Sequence, residues 1–319
     1  MTWPTYANDL FDKAALAISG HLPDEFVFEK APLSTRKEAA QWSLAYLAIV
    51  LGGQAFMRSA VPKPVSFKPI FFLHNAMLSI VSAGLLILFL ELVIPDLLKH
   101  GLMWSICHED AWNSRLELLF YINYLIKYYE LLDTIFLVLK KKKLEFLHVY
   151  HHAATMVLCY FELEGRTAVS WVPVTLNLFV HVIMYYYYAR TAVSSKPIWW
   201  KKYLTTLQIT QFILDIFAIY LATYTYVSSA MLPGVIPNFG LGTCRGKPVA
   251  AWIGCVIITS YLGLFVQFFI KTYGDKRRAA KAKKELKDAG GVGEKEKVLK
   301  GVKREGASPV RRKNRTMAD

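Results

Sequence analysis

Seven apolar segments of membrane-spanning length dominate this sequence and restrict what it can fold into. A bilayer core about 30 Å thick requires roughly 17–25 mostly apolar residues per helix. With 54% hydrophobic and 19% charged residues and a positive mean hydropathy, the chain of 319 residues is too apolar for a soluble domain of this length. The sequence predicts an all-α polytopic membrane protein with spans near residues 40–57, 70–95, 116–139, 146–163, 171–190, 203–229 and 249–271, the first being the weakest.

The distribution of basic residues predicts the orientation of these spans. Lysine and arginine accumulate on the cytosolic side of short loops. Here they are concentrated around residues 58–68, 140–143 and 190–202 and are sparse in the alternate loops. The first forty residues mix Asp, Glu, Lys and Pro and lack the continuous apolar segment of a cleavable signal peptide. With seven spans, we expect a lumenal or external N-terminus and a cytosolic C-terminus.

Composition divides the chain into three parts. Residues 1–39 are expected to form a lumenal N-terminal segment, residues 40–271 a seven-helix membrane domain, and residues 272–319 a basic cytosolic tail. From Lys271 onward there are 17 Lys and Arg residues and 7 Asp and Glu residues, so ten of the formal +14 charges belong to this end. A disordered, solvated tail accounts for such a composition, and attraction to anionic lipid headgroups is the alternative.

The four cysteines bear on disulfide formation. Cys107 and Cys244 fall in loops that the predicted topology puts on the lumenal side, where disulfides persist. We expect these two to pair and to join the second–third connection to the sixth–seventh, with two free thiols as the alternative. Cys159 and Cys255 lie within spans and suit apolar packing.

Four successive spans carry polar or ionisable side chains along one helical face. Each ionisable side chain in a bilayer costs on the order of 2.5–3.5 kcal/mol on insertion scales, so such a face must contact protein or water. The sequence therefore predicts a polar chamber inside a helix bundle. The faces, which follow spacings of three, four and seven residues, comprise Lys127, Glu130, Asp133 and Thr134 in the third span, His148, His151 and His152 in the fourth, Asn177, His181, Met184, Tyr185 and Tyr188 in the fifth, and Thr205, Gln208, Gln211 and Asp215 in the sixth.

Several functions are open for the clustered histidines at this point. HxxHH sequences occur in membrane di-iron desaturases and hydroxylases, but those sites draw on several His-rich boxes and this chain has no second one. A single zinc held by the four clustered histidines is another metal arrangement. Nucleophilic or acid–base chemistry on a lipid-like substrate suits buried imidazoles, and interhelical hydrogen bonds without chemistry are the structural alternative. A multispan receptor or transporter has no need of a three-histidine stripe.

Four short sequences, taken in order, resemble the boxes of the ELO family of very-long-chain fatty acid elongases. KYYELLDT is similar to KxxExxDT, HVYHH to HxxHH, NLFVHVIMYYYY to NxxxHxxMYxYY and TTLQITQ to TxxQxxQ. No box residue is replaced, and the resemblance covers roughly residues 40–275. HxxHH alone is weak evidence, whereas four boxes in order are specific. The stretches LHVYHHAATMVLCYFEL and SWVPVTLNLFVHVIMYYYYAR look most similar to the fungal members.

This resemblance implies a condensing enzyme of the endoplasmic reticulum membrane, with six helices around a narrow acyl tunnel, one span outside them, and neither a metal nor another cofactor. Such a 3-oxoacyl-CoA synthase joins a long-chain acyl-CoA to malonyl-CoA, releases CO2 and CoA, and lengthens the chain by two carbons. The partners it implies are both CoA substrates, membrane lipid and the other enzymes of the elongation cycle. A homodimer is left open, and nucleic acid is not expected. A membrane di-iron desaturase or hydroxylase is the alternative function.

The same resemblance suggests roles for the polar residues. We expect His151 to attack the acyl thioester, His181 to act as base or alternative acyl acceptor, and His148 and His152 to stabilise the oxyanion or enolate. The alternative mechanism is a ternary complex in which a histidine acts only as base. The acyl chain is expected to extend toward the lumenal end. The supporting network comprises Lys127, Glu130, Asp133, Asn177, Tyr185, Gln208 and Gln211, with Asn177 and Gln208 orienting imidazoles, and the residues expected to hold CoA at the cytosolic mouth are Lys140, Lys143, Arg190, Lys201 and Lys202.

Overall fold

The chain folds into a succession of α-helices joined mostly by short loops. A computed structural model describes residues 5–65, 67–194, 196 and 198–274, and no β-strand occurs within these residues. Two of the helices, α9 and α10, continue into π-helical turns at Val227–Met231 and Ile270–Gly274. The α-helices are α1 (Tyr6–Ser19), α2 (Arg36–Ser59), α3 (Lys68–His100), α4 (Leu102–Cys107), α5 (Ser114–Glu130), α6 (Leu132–Leu139), α7 (Phe146–Gly165), α8 (Trp171–Val193), α9 (Lys201–Tyr226) and α10 (Pro248–Phe269).

Helices occupy all seven positions that the sequence predicted as spans. By length and composition, α3, α8, α9 and α10 are suited to crossing a bilayer. The other three positions are filled by α2, by α5 together with α6, and by α7. The chain is an all-α polytopic membrane protein, which confirms the predicted fold class.

The third predicted span is not one continuous helix. It breaks at Leu131, where the backbone N–H bonds Tyr128 O at 3.2 Å and Leu131 O in turn accepts from Thr134 N at 3.2 Å. These bonds span three residues and tighten the chain locally. The span predicted at 116–139 is therefore formed by two consecutive helices, α5 and α6, that meet at Leu131. Because the break lies inside KYYELLDT, it separates Lys127 and Glu130 from Asp133 and Thr134.

Apolar faces of the helices pack around the polar stripes. α3 packs along α8, and α8 also packs against α9. α2 and α5 both pack against α7. α7, α9 and α10 share an apolar cluster that includes Leu158, Phe212 and Tyr261. A larger cluster joins α3, α5, α7 and α8 to Phe28 of the N-terminal segment. The Phe28 side chain is only 2% exposed.

The bundle has two chemically different ends. One end contains a disulfide between Cys107 and Cys244, the two cysteines that the predicted topology put on one side; we call it the disulfide end. The N-terminal segment packs there, with Phe28 N donating to Glu117 Oε1 at 2.8 Å and Arg36 pairing with Glu164 at 2.6 Å. The other end, which we call the lysine end, contains the loop 140–145 between α6 and α7.

The packing just described lies within one compact unit that ends at Phe265. The described residues beyond it complete α10 and its π-helical turn. Of the predicted basic tail, residues from 275 onward lie outside the described residues. The predicted N-terminal segment contains α1, a helix for which the sequence pattern gave no span signal.

Candidate active site

The first turns of α7 carry three histidines next to the lysine end. The rings of His148 and His152 lie 4.5 Å apart, and those of His151 and His152 lie 5.7 Å apart. His152 is 9% exposed, whereas His148 and His151 are partly accessible. The HxxHH spacing thus brings all three imidazoles into one group, as a helix of 3.6 residues per turn requires.

The imidazoles of His148 and His151 make different contacts. His148 Nε2 forms a 3.0 Å hydrogen bond with Thr134 Oγ1, which also bonds the hydroxyl of Tyr46 on α2 at 2.8 Å. The ring of His151 lies 4.7 Å from that of Tyr261, and its side chain makes no hydrogen bond to the described residues. Of the two histidines with partial access, His151 is therefore the one with unengaged ring nitrogens.

His181 of α8 belongs to a closed polar ring that α5 completes. Lys127 Nζ donates to both Glu130 Oε1 and Asn177 Oδ1 at 3.0 Å. The amide of Asn177 is thereby oriented with Nδ2 toward His181 Nε2, 3.2 Å away. Because Nε2 accepts this bond, the neutral ring carries its proton on Nδ1. Nδ1 lies 3.2 Å from Glu130 Oε1, within ion-pair distance but without the alignment of a hydrogen bond.

Glu130 is the group that connects the two sets of histidines. Its carboxylate is 2% exposed and lies close enough to Lys127, His181 and His152 to interact electrostatically with each. A buried carboxylate with a lysine partner has a compensated charge. The α5 half of the KxxExxDT box therefore links the histidine of α8 to those of α7.

Asp133, in the α6 half of the box, holds a separate set of contacts. Oδ2 accepts from the Tyr185 hydroxyl at 2.9 Å, and Oδ1 accepts from His74 Nε2 at 2.8 Å. His74, on α3, is 4% exposed, stacks on Tyr129 and packs edge-on against Phe136. His74 was not among the predicted site residues, because it belongs to no box and lies near a predicted span end. Its only sequence signal is a histidine in an apolar segment.

His74→Phe is expected to lower kcat for the condensation that the resemblance implies by about tenfold. The ring contacts remain, but the Asp133 carboxylate loses a hydrogen-bond donor. Steady-state kinetics of the purified variant give kcat and KM separately, and KM should change little. His74→Gln retains a donor and should recover part of the rate. His100→Phe, which affects a ring stacked on Trp104 at the disulfide end, is the matched control. A kcat equal to that of wild type in His74→Phe would contradict a positioning role.

Of the two glutamines of the TxxQxxQ box, Gln208 takes a partner other than the predicted one. Gln208 Nε2 points to Met184 Sδ at 3.6 Å and not to an imidazole. Gln211 Nε2 donates to Asp215 Oδ2 at 3.1 Å. Of the two residues expected to orient imidazoles, the structure brings Asn177 to a histidine and Gln208 to a thioether.

The basic residues predicted to hold CoA lie in two places: on the loop at the lysine end, and at the facing ends of α8 and α9. Lys140 Nζ lies 3.3 Å from the centroid of the Phe71 ring, and Lys143 pairs with Glu145 at 3.4 Å. Partial burial, and then the charge of Lys142, lowers the pKa of Lys140. Lys141, which was not among the predicted residues, donates to Val61 O and ties the loop to the end of α2. The side chains of Arg190, Lys201 and Lys202 are exposed at the facing ends of α8 and α9.

Comparison with known proteins identifies the family of this chain. A family model described as ELO, the GNS1/SUR4 family, matches residues 32–283. The chain belongs to the ELO family. Two ELO relatives from Schizosaccharomyces pombe, provisionally named fatty acid elongases 1 and 2, are 41% and 43% identical over 86% and 80% of this chain and 81% and 68% of their own lengths. Fatty acid elongase A of Dictyostelium discoideum is 38% identical over 73% of this chain and 82% of its own.

ELO family membership confirms the resemblance carried by the four boxes, including the similarity to fungal members. It does not favour the di-iron alternative. Among the residues that the structure describes, no group of three or more His, Cys, Asp or Glu side chains has an arrangement suited to a metal ion. The histidines of the site are grouped with lysine, glutamate, aspartate, asparagine, threonine and tyrosine side chains.

Proposed function

We propose that this chain is the condensing enzyme of fatty acid elongation, a very-long-chain 3-oxoacyl-CoA synthase. It joins a long-chain acyl-CoA to malonyl-CoA and releases CO2 and CoA. ELO family membership supports an enzyme of elongation. The observation that carries the proposal further is the different environment of each histidine, since one imidazole is unengaged while another is paired with a buried carboxylate.

His151 is the proposed nucleophile. A ring nitrogen attacks the thioester carbon, a C–N bond forms, the C–S bond breaks, and CoA leaves as a thiolate that takes up a proton. His151 suits this step because its ring nitrogens make no hydrogen bond to the described residues and its ring is partly accessible. Contact with Tyr261, whose hydroxyl donates to His151 O at 3.1 Å, fixes the position of the residue.

The second half-reaction forms the carbon–carbon bond. Malonyl-CoA loses CO2, and the electron pair of the broken C–C bond forms an enolate. The enolate carbon attacks the acyl carbon, the C–N bond breaks, and His151 is freed. The cycle consumes one proton, the one that the departing thiolate takes up. His148 and His152 lie within ring contact of this carbon's proposed position and are proposed to stabilise the oxyanion or enolate.

His181 is proposed to exchange protons and not to carry the acyl group. Its Nε2 is already engaged by Asn177, and Glu130 beside Nδ1 stabilises the ring when Nε2 gains a proton. This arrangement resembles the pairing of a histidine with a carboxylate in other acid–base sites. The alternative, a ternary complex without an acyl-enzyme, uses the same base.

The lysine end is proposed to be the CoA entrance at the cytosolic face of the endoplasmic reticulum membrane. CoA phosphates cannot enter a bilayer core, and the loop 140–143 with the facing ends of α8 and α9 supplies cations next to His148. Malonyl-CoA, acyl-CoA and the enzymes that process the 3-oxoacyl product are the proposed partners, with the C-terminus cytosolic.

Purified protein supplied with a long-chain acyl-CoA and radiolabelled malonyl-CoA tests the function. We expect equal amounts of CO2, free CoA and a 3-oxoacyl-CoA two carbons longer, with no requirement for oxygen or a reductant. A reaction without acyl-CoA measures uncoupled decarboxylation and serves as the control. Unsaturated or hydroxylated product formed with oxygen consumption, and no use of malonyl-CoA, would contradict the proposal and favour the di-iron alternative.

A further inference from the structure

Two buried carboxyl groups lie inside the bundle without a role in the proposed reaction. Glu162 on α7 is 8% exposed and Asp215 on α9 is 0% exposed. Each ionisable group within a membrane costs several kcal/mol unless it serves a structural or functional purpose. Neither residue belongs to the four boxes.

Both carboxyl groups continue the polar faces that lead from the catalytic histidines. Glu162 follows His151 by eleven residues, close to three whole turns, so the two side chains leave α7 in nearly the same direction. Asp215 follows Gln208 by seven residues, close to two turns of α9. Leu158 and Ile219, one turn from each carboxyl residue, pack in the same apolar cluster. The two carboxyl groups therefore lie between α7 and α9, further toward the disulfide end than the histidines.

A cavity of about 40 Å³ lies at this level, large enough for roughly three water molecules. Glu162 lines it together with Thr223 of α9 and Gly254 of α10. Gly254 precedes Tyr261, the residue that contacts His151, by seven residues, or about two turns of α10. The cavity thus lies along the same three helices that contribute His151, Gln208 and Tyr261.

The hydrogen-bond acceptors in this region are incompletely used. Asp215 Oδ2 accepts from Gln211, but buried Oδ1 has no partner among the described residues. The Glu162 side chain makes no hydrogen bond to those residues either. Arg245 and Lys247 also line the cavity, yet they pair with Glu109 at 3.2 Å and Glu164 at 3.8 Å. The Glu162 carboxyl group can therefore accept a hydrogen bond from a donor group that enters the cavity.

We propose that Glu162 forms a polar subsite that selects acyl chains carrying a hydroxyl group at this depth. A carboxyl group accepts a hydrogen bond whether or not it is protonated, so a hydroxyl satisfies an acceptor that a methyl group leaves unpaired. This inference rests on the proposed function, because it takes the chain to extend from His151 along α7. It assigns the enzyme a hydroxyacyl-CoA substrate class.

The position of the subsite fixes the length of the preferred substrate. Eleven residues of α-helix rise about 16 Å. An extended chain advances about 1.2 Å per bond, so about 14 bonds separate the thioester carbon from Glu162. The hydroxyl of ω-hydroxytetradecanoyl-CoA reaches this depth, and pentadecanoyl-CoA places a methyl group there.

Competition between these two thioesters, with malonyl-CoA, tests the subsite through the ratio of their kcat/KM values. We expect wild type to favour the hydroxylated chain and Glu162→Leu to lower the ratio about tenfold, with Glu162→Gln between them because its carbonyl still accepts. Glu25→Gln, on an exposed carboxylate paired with His21 outside the bundle, is the control and should keep the wild-type ratio. ω-Hydroxydecanoyl-CoA, whose hydroxyl stops short of Glu162, should show no dependence on residue 162.

The ratio is measured within each preparation, so partial loss of folded protein does not disturb it. If Glu162→Leu leaves no measurable turnover, the ratio of Glu162→Gln compared with that of Glu25→Gln decides the same question. Equal ratios in wild type and the Glu162 variants would overturn the subsite and leave the condensing function intact. Failure of wild type to extend any acyl-CoA would instead overturn the proposed function, and the subsite with it.

Discussion

His151→Ala is expected to abolish condensation, with a fall in rate of about a thousandfold or more, because the proposed acyl carrier is lost. The same variant should lose a covalent adduct. Intact-protein mass spectrometry of wild type, incubated with a long-chain acyl-CoA and no malonyl-CoA, should show the added mass of one acyl group. Addition of malonyl-CoA should discharge it. The expectation follows from the unengaged ring nitrogens of His151 beside Tyr261.

Two further variants locate the nucleophile among the histidines. His181→Ala should still form the adduct, since its proposed task is proton exchange, but should turn over slowly. His21→Ala, which alters an exposed residue paired with Glu25 outside the bundle, is the control and should behave as wild type. An adduct that persists in His151→Ala and disappears in His181→Ala would reverse the two roles. Condensation without any adduct would favour the ternary mechanism.

Hydropathy and spacing were sufficient to predict where the helices lie and which of the candidate site residues share a helical face. Helices occur at all seven predicted positions because a bilayer admits few alternatives for an apolar chain. The HxxHH group and the proximity of Lys127 to Glu130 follow directly from helical periodicity. Asn177 and His181 also meet as neighbours four residues apart on α8.

The features that sequence did not predict depend on contacts between distant segments. His74 reaches Asp133 from α3, 59 residues away, and a single histidine in an apolar run has no periodic signal. The break at Leu131 leaves the apolar pattern intact, so hydropathy cannot detect it. Gln208 points to Met184 because the rotation of α9 relative to α8 is set by packing along their length. Such details are decided by tertiary structure.

Breaking the buried pair of Lys127 and Glu130 is expected to destabilise the protein strongly. These side chains are 3% and 2% exposed, and Lys127→Met leaves the carboxylate of Glu130 uncompensated inside the bundle. Loss of one partner of a buried ion pair costs about 3–5 kcal/mol, which corresponds to a decrease in Tm of about 10 °C or more for a domain of this size. Thermal unfolding in detergent, followed by size-exclusion chromatography, measures it. Lys63→Met, at an exposed lysine near the lysine end, is the control.

The double variant Lys127→Met with Glu130→Gln separates stability from chemistry. Removing both charges together avoids an isolated buried charge, so its Tm should recover at least half of the loss seen in Lys127→Met. Its activity should remain low, because Glu130 no longer carries the charge that stabilises protonated His181 and Asn177 loses the donor that orients its amide. A double variant as unstable as the sum of the single variants would show that the two residues act independently. Recovery of both Tm and activity would show that the pair serves stability alone, and would remove Glu130 from the proposed mechanism.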